Sequence, residues 1–472
     1  MNTSPAHRPG SKVAHFWVNF GTRFLPFADA ASPDLPLPRL LRLSLFQVSV
    51  GMALVLLIGT LNRVMIVELG VSSALVAVMV SLPLLFAPFR ALIGFKSDVH
   101  RSELGWRRVP YIWMGTMLQF GGFAIMPFAL LVLAGKGHAA DAPVWIGQAG
   151  AAIAFLLVGA GVHTTQTVGL ALATDLAPQE SQPKVVGLMY VMLLVGMIGS
   201  ALIFGALLEE YSPGRLIQVI QGAALTTLIL NVIALWKQES RDRSRVRAKH
   251  ADPTFQESWA VFAKGGHAVR RLLVVGLGTM AFTMEDVLLE PYGGQILGMS
   301  VSATTLLTAT LATGSLWGFW WASRVLARGA DPFKMASMGA WVGVPAFVLV
   351  IIAAPLGSQA IFTLGTFLIG VGAGLFGHGT LTATMQSAPK EQVGLALGAW
   401  GASQATAAGL AMALGGLIRD AVPWGEPLGG YLVVYSIELI LLFATILVML
   451  PLIRHAKGRL RTTAETVERL ES

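Results

Sequence analysis

The 472-residue sequence contains no cysteine, which excludes disulfides and thiolate metal sites outright. Charge is scarce too: Asp, Glu, Lys and Arg make up 12% of the residues, against roughly 25% in an ordinary soluble domain. The opening residues lack the short apolar core and small-residue cleavage site of a signal peptide, so insertion is expected to rely on the first spanning helix. Apolar length is what the chain has in excess. Hydrophobic residues account for 54%, and runs of ~18 or more, long enough to cross ~30 Å of hydrocarbon, recur along most of it. This composition predicts an all-α integral membrane protein.

The runs predict twelve spans, at 40–62, 71–93, 108–134, 143–174, 184–208, 214–236, 268–290, 300–323, 333–354, 358–386, 393–418 and 430–453. Turn signals punctuate them, among them Pro178, Pro183, Pro213-Gly214, Pro355, Pro389 and Pro423. The 33 Lys and Arg check the count. All but Arg63, Lys136, Arg215 and Arg419 fall on one set of alternating connections, as the positive-inside rule demands with both termini cytoplasmic. Miscounting by one helix would scramble that alternation. The net charge of +8 therefore reads as topology and anionic-lipid contact, not as a nucleic-acid footprint.

Six spans either side of a basic stretch suggest a duplication. Gly159 and Gly161 precede Pro178 at the same offsets as Gly370 and Gly372 precede Pro389, in the fourth and tenth spans. The expected organisation is an N-terminal segment (1–38), a six-helix half (39–236), a basic linker (237–267), a second half (268–454) and a tail (455–472). Two pseudo-symmetric six-helix halves with a binding region between them form the major facilitator fold. Gly94-Phe-Lys-Ser-Asp98 followed by Gly105-Trp-Arg107-Arg108 resembles the loop motif of that superfamily, with about two residues inserted. There glycine admits a tight turn, and Asp98 can accept bonds from a helix N-terminus or an arginine. Ordinary positive-inside charge is the alternative.

Charges inside spans are costly and usually face a bundle interior or cavity. The seventh span carries Glu285, Asp286 and Glu290, followed by Pro291, Gly293 and Gly294. Asp286 and Glu290 stand four apart on one helix face and repel. Either they lie at the outer interface, where Pro291 ends the helix, or they are protonated, paired or cation-bound. Arg63 and Arg90 are the nearest candidate partners by topology. His163 and His378 lie deep in the fourth and tenth spans, where a histidine can hydrogen-bond a neighbour, relay protons or ligate a metal centre. Gln166 is placed to help His163. Glycines of the fifth and eleventh spans, Gly196, Gly199 and Gly205 with Gly401, Gly415 and Gly416, permit close helix approach or the seating of a flat ligand. Phe16, Phe20, Phe24 and Phe27, with Trp17, Lys12 and Arg23, predict a short interfacial amphipathic helix.

Certain phrases are more specific. Leu45-Phe-Gln-Val-Ser-Val-Gly51, Gly59-Thr-Leu-Asn62-Arg63, Ala87-Pro88-Phe-Arg90-Ala-Leu-Ile-Gly94 and Leu288-Leu-Glu290-Pro-Tyr-Gly293 resemble the bacteriochlorophyll delivery (PucC/LhaA) family of the major facilitator superfamily in purple bacteria. The resemblance runs from about residue 15 to 455. It implies a light-harvesting assembly factor rather than an enzyme, placed in the bacterial inner (intracytoplasmic) membrane. Such a factor would deliver bacteriochlorophyll to antenna polypeptides, the core antenna favoured over the peripheral one, with the reaction centre as a further partner. His163, His378, Gln166 and Glu290 are the candidate pigment contacts. Arg63, Arg90, Asp98, Arg107, Arg108, Asp175, Glu285 and Asp286 are charged residues of the spans or their ends. Two other readings stay open: a proton-coupled solute transporter using Glu285, Asp286, Glu290 and Asp175, and a pigment-free scaffold.

Overall fold

A computed structural model describes residues 31–32, 35–83, 90, 93, 97, 100, 105–135, 142–178, 181–240, 268–326, 328–387, 393–422 and 427–471. The N-terminal aromatic stretch, Asp98 and most of the central linker lie outside them. Every described element is helical. In chain order they are α1 (Leu37–Glu68), α2 (Ser73–Ser81), α3 (Val109–Leu133), α4 (Val144–Leu176), α5 (Gln182–Leu207) and α6 (Pro213–Leu235). The second half holds α7 (Ala268–Gln295), α8 (Val301–Leu326), α9 (Pro332–Ala353), α10 (Gln359–Ser387), α11 (Val393–Ala421) and α12 (Pro427–Glu471). Ten helices are long and apolar enough to span a membrane. Of the other two, α2 is described only in part, and α8 has the length but is rich in Thr, Ser, Gly and Trp.

Local chemistry sets the ends. Proline opens α6, α9 and α12 at a position where its missing N–H costs nothing. Ser212 caps α6 through Arg215 N and Asp331 caps α9 through Phe333 N, at 3.2 and 2.9 Å. Gly105 has φ +79°, a left-handed turn before α3 that favours glycine. The tight turn expected of the loop motif is thus present at this glycine.

The glycine doublets reveal the duplication in three dimensions. A Cβ on Gly161 would strike the backbone of Gly115 and Gln119 in α3, and one on Gly372 would meet Gly339 O in α9. Gly159 abuts Pro83 just beyond α2, while Gly370 abuts Leu311 and Ser315 in α8. Each doublet therefore lets its helix touch the second and third helices of its own half. In a membrane, where helices gain little by hiding from lipid, such backbone approach is the main source of association. The doublets are packing devices, and no ligand is needed to explain them.

Two helices depart from regularity where the halves meet. α1 contains π-helical turns at Val55–Leu61 and Val64–Glu68. α7 stops at Thr283, passes through a 3₁₀ turn at Glu285–Val287 and restarts at Leu289. The expectation that Pro291 ends the seventh span at the outer interface is corrected here. Pro291 is the third residue of the restarted helix, where its N–H would have no intrahelical acceptor anyway. For the same reason Asp286 and Glu290 do not share one continuous helix face.

Candidate functional site

Hydrogen bonds between the halves gather at the side opposite the chain termini. Asn62 donates to Val287 O at 2.7 Å, tying the irregular part of α1 to the break in α7. Thr60 and Thr305 hydroxyls are 3.2 Å apart. Arg63 reaches Met299 O at 3.4 Å, and Asp420 of α11 accepts from Ala74 N at 2.7 Å. Gly59 is forced at this seam, since a Cβ there would strike the Glu290 carboxylate. At the termini side, hydrogen bonds among the described residues run within one half, such as Ser403 to Leu272 O and Trp400 to Thr380. The halves are latched at the far side.

Acidic residues collect at that latch. Glu285 and Glu438 are 0% exposed and Glu290 is 1% exposed. Glu285 N donates to Glu438 Oε1 at 2.6 Å, and Thr308 donates to Glu290 Oε1 at 2.5 Å. Both oxygens of Glu285, one each of Glu438 and Glu290, Asn62 Oδ1 and the Tyr435 hydroxyl have no hydrogen-bond partner. Neither expected arginine forms an ion pair with them. Arg63 pairs with Glu68 of its own helix, because the π-helical turn brings residues five apart onto one face. Arg90 is held at the fourth helix instead. Ionised carboxylates here, without a cationic partner, would cost several kcal/mol each, so the cluster fits acids that hold their protons. Glu438, the lone carboxylate of the twelfth span, went unremarked in the sequence although an intramembrane acid is itself a functional signal.

A second polar group forms around α4, in the N-terminal half. Arg90 Nε donates to Thr167 Oγ1 at 2.9 Å and Nη2 donates to Gln166 Oε1 at 3.0 Å. Gln166 Nε2 in turn donates to Gln47 Oε1 of α1 at 3.4 Å. His163, one turn before Gln166 and Thr167, is 8% exposed, and its Nδ1 has no hydrogen-bond partner. Since Gln47, Arg90 and Gln166 interlock, the first and second helices contribute more polarity than their hydropathy suggests.

The four candidate pigment contacts therefore do not share one site. His163 and Gln166 come together beside Arg90. His378 is in the other half, its ring 4.2 Å from that of Phe319, and Glu290 belongs to the far-side latch. For a magnesium-bearing pigment, the buried His163 Nδ1, without a hydrogen-bond partner, is a chemically suitable donor. A neutral imidazole there can offer one nitrogen to a metal.

The charged residues at the termini side have structural partners. Asp175 accepts from Arg107 at 2.5 Å and from Arg108 at 3.0 Å, and Arg108 also donates to Ser97 Oγ at 2.6 Å. Asp175 thereby binds the end of α4 to the start of α3. Glu239, beyond α6, caps α3 by accepting from the backbone N–H groups of Arg107, Arg108 and Val109 at 2.8–3.0 Å. Gln238 exchanges bonds with Arg39 at the start of α1. Beside this knot a groove of about 920 Å³ is lined by Trp106, Trp113 and Trp236, residues suited to a membrane–water interface. Replacing Glu239 with alanine should cost about 1–2 kcal/mol. The check is a fall of a few degrees in the melting temperature of the detergent-solubilised protein.

Comparison with known proteins agrees with this architecture. A bacterial homologue of the human lysosomal transporter Spinster, solved inward-facing and occupied, superposes with a TM-score of 0.64 at 13% identity, covering 88% of this chain and 96% of that one. The fold is thus that of the major facilitator transporters. Protein PucC of Rhodovulum sulfidophilum is 68% identical over 85% of this chain and 89% of its own length. Protein PucC of Cereibacter sphaeroides is 58% identical over 94% and 98%. The PUCC protein family model matches residues 60–457, and the chain belongs to that family.

Proposed function

We propose that the protein is an assembly factor for light-harvesting antenna that binds bacteriochlorophyll in its N-terminal half and delivers it to antenna polypeptides in the membrane. Membership of the PUCC family supports the class of function. The observation that carries the pigment site is His163: a buried imidazole with an unpartnered Nδ1 on α4. Bacteriochlorophyll supplies a magnesium ion that takes an axial donor, and His163 is the residue to provide it. Gln166 and Arg90 fix the α4 face beside it.

On this reading the protein binds, orients and releases, and performs no covalent chemistry. It resides in the bacterial inner (intracytoplasmic) membrane with both termini in the cytoplasm. The halves are then latched at the periplasmic side, and release is towards the cytoplasmic leaflet or sideways to an antenna helix whose own histidine competes for the metal. The reaction centre and membrane lipids are further partners. The buried carboxylates of the latch favour one second reading, a transporter that moves protons through Glu285, Asp286 and Glu290, since such groups recur in proton relays.

Purification of the tagged protein from photosynthetic membranes tests the proposal. Bacteriochlorophyll absorbance and antenna polypeptides are expected in one peak. The core-antenna polypeptide is favoured, and recovery of the peripheral one instead would reassign the client. A colourless peak with antenna polypeptides would indicate a scaffold. Neither pigment nor antenna, together with uncoupler-sensitive solute uptake in proteoliposomes, would replace assembly by transport.

A further inference from the structure

Arg90 presents a charge problem that pigment coordination does not solve. It lies within the second span, where an uncompensated cation is expensive. Its guanidinium has five N–H donors, yet its hydrogen bonds go to two neutral acceptors, Thr167 Oγ1 and Gln166 Oε1. Among the described residues no carboxylate pairs with it. Its position is nonetheless fixed, because the two acceptors are adjacent on α4 and one of them is braced by Gln47.

The unpartnered groups around it complete the case. Gln47 is 0% exposed, and its Nε2, with two N–H groups, has no hydrogen-bond partner. The glutamine chain is oriented so that Arg90 donates to Gln166, Gln166 donates to Gln47, and the donor end of Gln47 is left over. His163 Nδ1 is unpartnered on the same face of α4, one turn away. In the far-side latch the unsatisfied atoms are mostly acceptors on acids. Here the unsatisfied amide of Gln47 is an N–H donor beside a cation that no carboxylate pairs with among the described residues, an arrangement that asks for an anion.

We infer that the N-terminal half contains an anion-binding site in which Arg90 of the second span and Gln47 of α1, held together through α4, receive a carboxylate carried on a large apolar body. The apolar body follows from the place: Arg90 lies within the second span, and a small hydrated anion would have to shed its water to reach it there. Arginine suits a carboxylate because its planar fork matches two oxygens at once. The site goes beyond magnesium coordination and does not depend on it. A pigment whose acid side chain is still free fits the description, and so does a fatty acid.

Full-length protein in nanodiscs separates these cases, with pheophorbide a and its methyl ester as probes and binding read by quenching of protein fluorescence. The two differ only in the carboxylate, and neither contains magnesium. A charge-assisted bond of this kind corresponds to about tenfold or more in affinity. The free acid is expected to bind at least ~10-fold more tightly than the ester, and Arg90→Gln should abolish the difference while Arg90→Lys retains part of it. Competition by oleate but not by methyl oleate would uphold the site with a lipid tail as the body; no competition by either would uphold it with the ring. If Arg90→Gln does not fold, Thr167→Val tests the same preference by removing an anchor of the guanidinium, and a reduced preference is expected. Equal binding of acid and ester to the wild type, or a preference that survives in Arg90→Gln, overturns the inference. In the first case pigment binding still stands; acid-selective oleate binding without any ring binding would leave the anion site and remove the pigment.

Discussion

Gly51→Val should leave almost no folded protein in the membrane, whereas Gly199→Val should be tolerated. A Cβ on Gly51 of α1 would sit 2.5 Å from Leu193 O and 2.8 Å from Met197 N of α5. Both are backbone atoms of a regular helix, so no rotamer change relieves the clash. The helices must separate, and the close approach that holds them together in lipid is lost. Overpacking of this kind costs about 3 kcal/mol or more, with valine adding two further methyl groups to the collision. Gly199 is on α5 as well, but nothing lies within 4 Å of its missing Cβ. There the change meets no clash and slightly improves helix propensity. Fluorescence-detected size exclusion of tagged variants reads both, with a fall of about tenfold in the monodisperse peak expected for the first and none for the second.

His163→Ala should leave the fold intact and cut antenna accumulation sharply. The Nδ1 of this histidine makes no hydrogen bond in the resting structure, so that nitrogen contributes nothing to stability that alanine would forfeit. The loss is confined to packing of a small ring on α4. If His163 is the axial donor for a pigment, its removal deletes the one specific contact to the metal. A fall of about tenfold or more in antenna absorbance per cell is expected, for a lost contact of about 1.4 kcal/mol or above. His378→Ala, which removes a ring packed on Phe319, should spare most of that absorbance. Comparing the two variants at equal protein level separates loss of pigment handling from loss of the protein.

Hydropathy made the twelve helices legible, ten of them long and apolar enough to span, because a bilayer sets span length almost independently of tertiary structure. The ends agree closely: 143–174 was expected for the fourth span and α4 runs Val144–Leu176. The glycine doublets were legible as a repeat, and the contacts of Gly161 with α3 and Gly372 with α9 give that repeat its physical cause. Pro291 misled, since a proline marks a helix end and a helix start equally well, and the break at Glu285–Val287 has no composition of its own. Arg63 was matched to the wrong acid because a π-helical turn shifts its neighbour from four to five residues along. The union of Arg90, Gln166 and Gln47 was out of reach, for it joins three helices through side chains each unremarkable in its own span. Glu239 likewise carried no local signal, as its role arises only when α6 ends beside the start of α3.

The account turns on a pigment held by His163, and one measurement addresses it most directly. Wild-type protein, His163→Ala and His378→Ala are purified in parallel from photosynthetic membranes, and bacteriochlorophyll absorbance is measured per mole of protein. The account predicts pigment on the wild type and on His378→Ala, and little or none on a well-folded His163→Ala. A colourless wild type, or a His163→Ala protein that carries as much pigment as the wild type, would contradict it.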